Sequence, residues 1–396
     1  MDIAIVNEYV HSSVNYGNVL QSYALCHYIK NINPDFGVKL VETVSHPNNY
    51  IQTKSYPMHI LALKTFNKIK RVFLDTKKFR GMDERLDLFK KFLEQYVPLS
   101  ENAVDYSGFK SLNFNTYIVG SDVVWFQEKN RINRIKFFDF KKKAGTRKIS
   151  YAASFGCDWI PEENIKEIQR CLTDFDAVSV RENSSVELLK SIGINAVHVL
   201  DPTFLLDAEE WSSIEKLPIN SKYANLDNNT NCLSIHDGLN YNNFIFAYIL
   251  GTDADMRTAI MNWAEEKKLK VVAIPYASGK YNNVDENFGH IQVYDCSPQN
   301  WIWLIHHAEY IITDSFHGTA FSTIYRKKFV VLERMTSTDL NNRMLDYLKT
   351  IKQLDKMISF TELYRIDDMC WNYDMIYDIL RNKIDFSIKF LKENIG

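Results

Sequence analysis

Short apolar runs alternate with polar turns and helical stretches along this chain, and the alternation runs through it twice. Residues 3–6 are apolar, residues 11–18 (HSSVNYGN) are polar, and residues 19–29 read as a helix. Strand, polar turn and helix in that order open a Rossmann-like unit. Residues 38–44 predict a second strand, and residues 50–100 predict helices rich in Lys and Arg. Further strands are expected within TYIVGSD (116–122), KISYAASFG (148–156), DAVSVRE (176–182) and AVHVLDPTF (196–204), the last ended by Asp-Pro. A helix is expected over 184–192. The polar stretch 217–231 then predicts an exposed loop near a domain boundary.

After that loop the pattern restarts. Residues 244–250 predict a strand, 259–268 a helix and 271–274 a strand. Ser297 followed by Pro298 predicts a helix N-cap. A strand over 310–315, a helix over 318–325 and a strand over 329–333 complete the series. Two successive β-α-β series predict an α/β protein of two doubly wound domains, residues 1–206 and 207–396, with a crevice between them. Ligands in such folds sit outside the carboxyl ends of the strands.

Composition narrows the function classes. A net charge of −2 over 396 residues gives no field for a polyanion, so nucleic acid is not expected as a partner. The opening MDIAIVNEYV has no basic segment followed by a long apolar one, so a signal peptide is not expected. No apolar run is long enough to span a bilayer. The six cysteines are scattered without C-x-x-C, which fits a reducing cytoplasm and predicts neither a zinc site nor a disulfide framework. With no P-loop, G-x-G-x-x-G or H-E-x-x-H, neither a metal nor a cofactor is expected.

The candidate chemistry lies at strand ends. In YIITDSFHGTAFSTIYRKKFVVL (310–332), Asp314, Ser315, Phe316 and His317 fill the turn, and Gly318 and Thr319 begin the next helix. A helix start offers N–H groups and a positive dipole end to an anion. A histidine there can exchange protons near neutral pH. The bland alternative is that Ser315 only caps the helix and His317 is structural. Arg181, at a strand end in SVRENSS, suits bidentate binding of phosphate or carboxylate, unless it merely pairs with Glu182. Asn15, Gly17 and Asn18 of NYGN line the first turn, where Gly17 permits close approach. Ser121 and Asp122 of VGSDVVW follow another strand, and Asp122 can orient a hydroxyl or act as acid or base. Ser154 of ASFG aims at the same crevice.

Taken together, NYGNVLQSYAL, VGSDVVW, SYAASFG, SVRENSS, VLDPTFLL, SPQNWIWLIHHAEYIITDSFHGTAFS and NNRMLDYL, in this order and spacing, resemble the polysaccharide pyruvyl transferase family over about residues 1–350. The resemblance implies a GT-B-like fold of two Rossmann-like domains facing a central cleft. The N-terminal domain would take the acceptor and the C-terminal domain the donor, with the last helix crossing back to the N-terminal domain. It implies transfer of pyruvate from phosphoenolpyruvate to a hexose of a surface polysaccharide or its lipid-linked precursor, forming a cyclic ketal and releasing phosphate. It carries Arg181 and His317 over as donor-site residues. From the residues themselves, His317 and Asp122 are the catalytic candidates, and Ser315, Gly318, Thr319 and Arg343 join Arg181 on the donor side. The alternatives are a nucleotide-sugar glycosyltransferase of the same fold and a member without chemistry.

Two positions depart from the family pattern. Many members carry Arg two residues before the histidine, where this chain has Ser315, and Val123 stands where Gln often follows GSD. Arg343, or Arg326 with Lys327 and Lys328, is the expected substitute cation. Ala62, Phe66, Ile69 and Phe73 form a helical stripe flanked by Lys64, Lys68, Lys70, Arg71, Lys77, Lys78 and Arg80. It predicts either peripheral contact with an anionic membrane or a helix docked on its own domain. His306 and His307, adjacent on one helix, are expected to point apart and to be structural.

Overall fold

The computed structural model describes residues 1–8, 14–53, 81–126, 130–218, 244–334 and 341–396. The basic stripe at 62–80 and most of the polar stretch 217–231 lie outside these residues.

The N-terminal sheet is parallel, with strands β1 (Asp2–Val6), β2 (Gly37–Leu40), β4 (Thr116–Val119) and β6 (Arg147–Ser150) in the order β2-β1-β4-β6. Parallel bridges at Ile149–Ala177 and Ala153–Val180 carry it on to β7 (Ser179–Val180), which pairs with β8 (Val197–His198). Residues 50–52 are not helical. They form β3 (Tyr50–Gln52), antiparallel to β5 (Arg131–Asn133), with the Arg131 guanidinium 4.3 Å from the Tyr50 ring centroid. The strand expected across 196–204 stops at His198 because the Asp201 side chain accepts from Thr203 N and opens a 3₁₀ turn over Pro202–Leu205.

The C-terminal sheet holds β9 (Phe244–Tyr248), β10 (Lys270–Ala273), β11 (Ile291–Gln292), β12 (Tyr310–Thr313), β13 (Lys328–Leu332) and β14 (Met357–Ile358). All neighbours are parallel and the order is β11-β10-β9-β12-β13-β14. Numbered within the domain this is 3-2-1-4-5-6, the doubly wound order whose reversal lies between β9 and β12. Central β9 reads FIFAY, buried at every position, as a strand covered on both faces requires.

Local chemistry sets the helix starts. Ser297 and Asn300 form a reciprocal capping box, with Pro298 at the first helical position, and fix the helix Pro298–His307. Helix Tyr16–Ile32 is buried on all sides from Tyr16 to Cys26 because β2, the turn Pro202–Leu205 and the helices Met82–Tyr96, Pro298–His307 and Phe316–Ile324 pack around it. Its Tyr16 stacks on Trp301 at 5.7 Å between centroids and donates to Cys296 O at 2.9 Å. Helix Met82–Tyr96 lends Arg85, fully buried, whose guanidinium donates to the carbonyls of Tyr294, Tyr276 and Pro275. Buried backbone carbonyls at the mouth of the second sheet are thus satisfied by a residue from the first half of the chain.

The last helix, Tyr373–Ile395, braces both halves. Tyr377 donates to Ile324 O at 2.9 Å on the C-terminal side. Farther along, Ser387 Oγ accepts from Leu200 N at 2.9 Å, Phe390 packs on Tyr151, and Ile395 O accepts from Thr116 Oγ1 at 2.8 Å. No helix among the described residues is long and apolar enough to cross a membrane.

Candidate functional site

The first helix of the N-terminal domain and the helix after β12 meet head to head. Asn15 caps the former, its side chain accepting from Asn18 N at 3.1 Å. Ser315 caps the latter, helix Phe316–Ile324, with its Oγ 3.4 Å from Gly318 N. At the meeting point Gly17 faces His317 so closely that a Cβ on Gly17 would fall 1.9 Å from His317 Nδ1. The glycine is needed for this approach and not for its backbone angles. Gly17→Ala is therefore expected to push the imidazole out of place, costing about 1–3 kcal/mol of stability and most of the activity. A melting curve and a turnover assay check this, and normal turnover would show that the ring position is not critical.

Around His317 lies a buried cluster of charges drawn from the strand ends of the N-terminal domain. Arg181, only 2% exposed at its side chain, is its centre. Its Nε donates to Glu182 Oε1 at 3.1 Å and its Nη1 to Asp201 Oδ2 at 3.1 Å. Its Nη2 stands 3.6 Å from Asp122 Oδ1, and its guanidinium lies 4.4 Å from the Phe316 ring centroid. Asp201 Oδ2 also accepts from Ser121 Oγ at 2.8 Å and lies 3.6 Å from His317 Nε2, an ion-pair distance too long for a hydrogen bond. Ser154 Oγ donates to Glu182 Oε1 at 2.8 Å. Asp122 sits at φ 65°, a left-handed position that Asp tolerates better than most residues. From there it meets Arg343 Nη1 at 3.7 Å and Asn18 Nδ2 at 3.5 Å.

Burial works against the charge on both aspartates, yet both stay ionised. His317 and Arg181 hold the Asp201 carboxyl well below the usual carboxylate range. Arg181, His317 and Arg343 hold Asp122 below it too. Burial and the like charge of Arg181 push Arg343 down, whereas Glu182, Asp122 and Asp201 overcome burial and keep Arg181 firmly charged. Two guanidinium groups face three carboxylates here.

Four buried polar atoms around this cluster lack a hydrogen-bond partner: Arg181 Nη2, Arg343 Nε, His317 Nε2 and Asn18 Oδ1. A buried polar atom left unsatisfied costs about 1–3 kcal/mol. The side chains that carry them all reach Asp122 or Asp201.

Of the residues expected from sequence, His317, Asp122, Arg181, Arg343, Asn18, Gly17, Ser121 and Ser154 come together here. Others do not act as expected. The amide of Gly318 is taken by Ser315 Oγ, and the amide and hydroxyl of Thr319 by Ser315 O, because the helix begins at Phe316. Neither residue offers a free N–H to an anion. The free amides of this first turn belong to Phe316 and His317. Asp314 is engaged by its own domain. Its carboxylate accepts from Leu250 N and Gly251 N, each at 2.7 Å, and from Arg334 Nε at 2.9 Å. Asn15 is an exposed cap.

Arg326, Lys327 and Lys328 do not stand in for the cation absent at Ser315. Arg326 stacks on Tyr377, Lys327 donates to His306 O, and Lys328 pairs with Glu309. Arg343 does reach the site. His306 and His307, though adjacent on one helix, both meet the carboxylate of Glu215. Sequence reading missed Asp201 and Arg334. Asp201 carried a signal, an acid at a strand end just before Pro202, but the same pattern marks an ordinary turn. Glu182 was foreseen only as a partner for Arg181, and it is one.

Two solved structures illustrate the fold likeness. A Listeria monocytogenes protein solved under the name UDP-N-acetylglucosamine 2-epimerase aligns at 10% identity over 95% of this chain and 90% of its own, with a TM-score of 0.51. MnaA of S. aureus, solved with UDP, aligns at 12% identity over 97% of this chain and 88% of its own, with a TM-score of 0.48. At such identities the likeness concerns architecture alone, and with the two facing doubly wound sheets it gives a GT-B-like fold. No curated protein matches the chain. The family model for polysaccharide pyruvyl transferase matches residues 15–334, a span that runs from Asn15 through the Arg181–Asp201 cluster and His317 to Arg334. The chain belongs to the polysaccharide pyruvyl transferase family.

Proposed function

We propose that this chain transfers pyruvate from phosphoenolpyruvate to a hexose of a polysaccharide or of its lipid-linked precursor, forming a cyclic ketal and releasing phosphate. The observation that carries the proposal is the convergence of unpartnered N–H donors from Arg181, Arg343 and His317 beside Asp122. Guanidinium N–H groups are suited to phosphate and carboxylate, and phosphoenolpyruvate carries both.

The chemistry asks for a proton at the methylene carbon of the enol and for relief of charge on the phosphate. His317, 3.6 Å from Asp201, supplies that proton as general acid in this reading. Protonation gives an oxocarbenium-like centre at the adjacent carbon. One sugar hydroxyl adds there and loses its proton to the emptied His317 or to Asp122. The C–O bond to phosphate then breaks, and a second hydroxyl closes the ring. The atoms balance: one hydroxyl proton ends in the new methyl group, and the other leaves as part of hydrogen phosphate. Arg181 and Arg343 stabilise the developing phosphate charge through N–H groups already fixed in place.

Thermal shift of the purified protein tests the donor. Phosphoenolpyruvate at about 100 times its Kd is expected to add ~2.7 kcal/mol to the stability of the native state. The shift should shrink in Arg343→Gln, whose fold is less dependent on the substituted side chain than that of an Arg181 variant. Stabilisation by a nucleotide sugar with no response to phosphoenolpyruvate would overturn the reading.

A further inference from the structure

At the opposite end of β12 from His317 lies a second cluster with no part in this chemistry. Helix Pro298–His307 ends there in two adjacent histidines. Glu215, which follows the short helix Ala208–Ser212, lies across them. Its Oε2 is 2.9 Å from His306 Nδ1 and its Oε1 is 3.3 Å from His307 Nε2. One ligand atom from each residue can be chosen so that all three lie within 4.8 Å of one another. Both rings are held by stacking. His306 lies on Tyr325 and His307 on Trp303, each at 4.3 Å between centroids and within 18° of parallel. The histidine side chains are 36% and 38% exposed and that of Glu215 is 17% exposed, so solvent reaches the group.

We propose that Glu215, His306 and His307 bind a divalent transition-metal ion of the zinc type. Zinc–nitrogen and zinc–oxygen bonds of about 2.0–2.2 Å in a tetrahedron set ligand atoms about 3.3 Å apart, inside the 4.8 Å that bounds one ligand atom from each of the three residues here. Two imidazoles and one carboxylate suit zinc, cobalt or nickel, whereas calcium and magnesium demand oxygen ligands. Three protein ligands leave a fourth position for water. The C-terminal end of a helix also favours a cation. The nearby Lys327 is turned to the backbone, donating to His306 O at 2.9 Å. The ion would clamp the segment joining the two domains onto the C-terminal domain. That junction already carries Lys216 N to Gln299 O at 3.2 Å and Asn300 Nδ2 to Lys216 O at 2.8 Å. The role is one of holding, separate from pyruvyl transfer.

The test is calorimetric titration of the chelator-treated full chain with Zn²⁺ alone, paired with melting curves with and without Zn²⁺. One saturable site and a raised Tm are expected. His307→Gln and Glu215→Gln should each weaken binding by more than about tenfold, as loss of one of three ligands requires, and should cancel the Tm rise. Circular dichroism of the metal-free variants confirms that they are folded. Ligand-field bands of bound Co²⁺ that vanish in His306→Ala provide a readout independent of stability. Absence of saturable binding, or equal binding by wild type and folded variants, overturns the proposal.

Discussion

Replacing His317 with glutamine is expected to lower pyruvyl transfer about 10²–10⁴-fold while leaving the protein folded. Glutamine keeps a polar head beside Asp201 but cannot hold a proton to deliver to carbon. The ring is bound to the structure mainly by packing, with Gly17 on one face and Phe316 at 5.1 Å between centroids. Its only close charged partner among the described residues is Asp201 at 3.6 Å. The loss should therefore appear in kcat, with phosphoenolpyruvate still raising the Tm. Release of phosphate in the presence of an acceptor glycan measures the first, and thermal shift the second. Turnover near that of the parent would remove His317 from the proton-transfer step.

Arg181→Ala is expected to act quite differently, costing about 3–5 kcal/mol of stability by leaving buried charges without their partner. Asp201, Glu182 and Asp122 would share a site from which the central cation has gone. Denaturant melts measure the change, and a loss below about 1 kcal/mol, the range of surface ion pairs, would contradict the network described. The pH dependence has a definite sign. Asp201 and Asp122 have depressed folded pKa values, so their contribution is complete above the unfolded carboxylate value of about 3.9. It is lost as the pH falls through the depressed folded values. With Arg181 gone the folded values rise, so the acid loss should begin at higher pH.

How far the sequence could lead is clearest residue by residue. Strand–turn–helix units announced themselves because parallel strands such as FIFAY are uniformly apolar and Ser297-Pro298 is an unambiguous helix start. DSFHG and NYGN could each be recognised as a strand-end turn. That Gly17 lies against His317 could not, since the contact joins residues 300 positions apart through the packing of two domains. The hydrogen-bond duties of Asp314, Gly318 and Thr319 were equally hidden. A polar group at a helix start looks the same in sequence whether it serves a ligand or its own cap. Asp201 was overlooked for the converse reason, because Asp-Pro reads as a turn while its carboxylate also binds Ser121 and Arg181. His306 and His307 project about 100° apart around their helix, yet one glutamate placed at the helix end reaches both.

The crossing of the last helix also bears on how the protein is made. The first sheet is assembled from residues 2–198, but its packing against Phe390 and its bonds to Ser387 and Ile395 wait for residues 373–395. At a synthesis rate of roughly 5–20 residues per second, the N-terminal half spends about ten seconds or more outside the ribosome with that flank uncovered. Translation speed through the second half therefore sets how long an incomplete surface is open to chaperones or to neighbouring nascent chains.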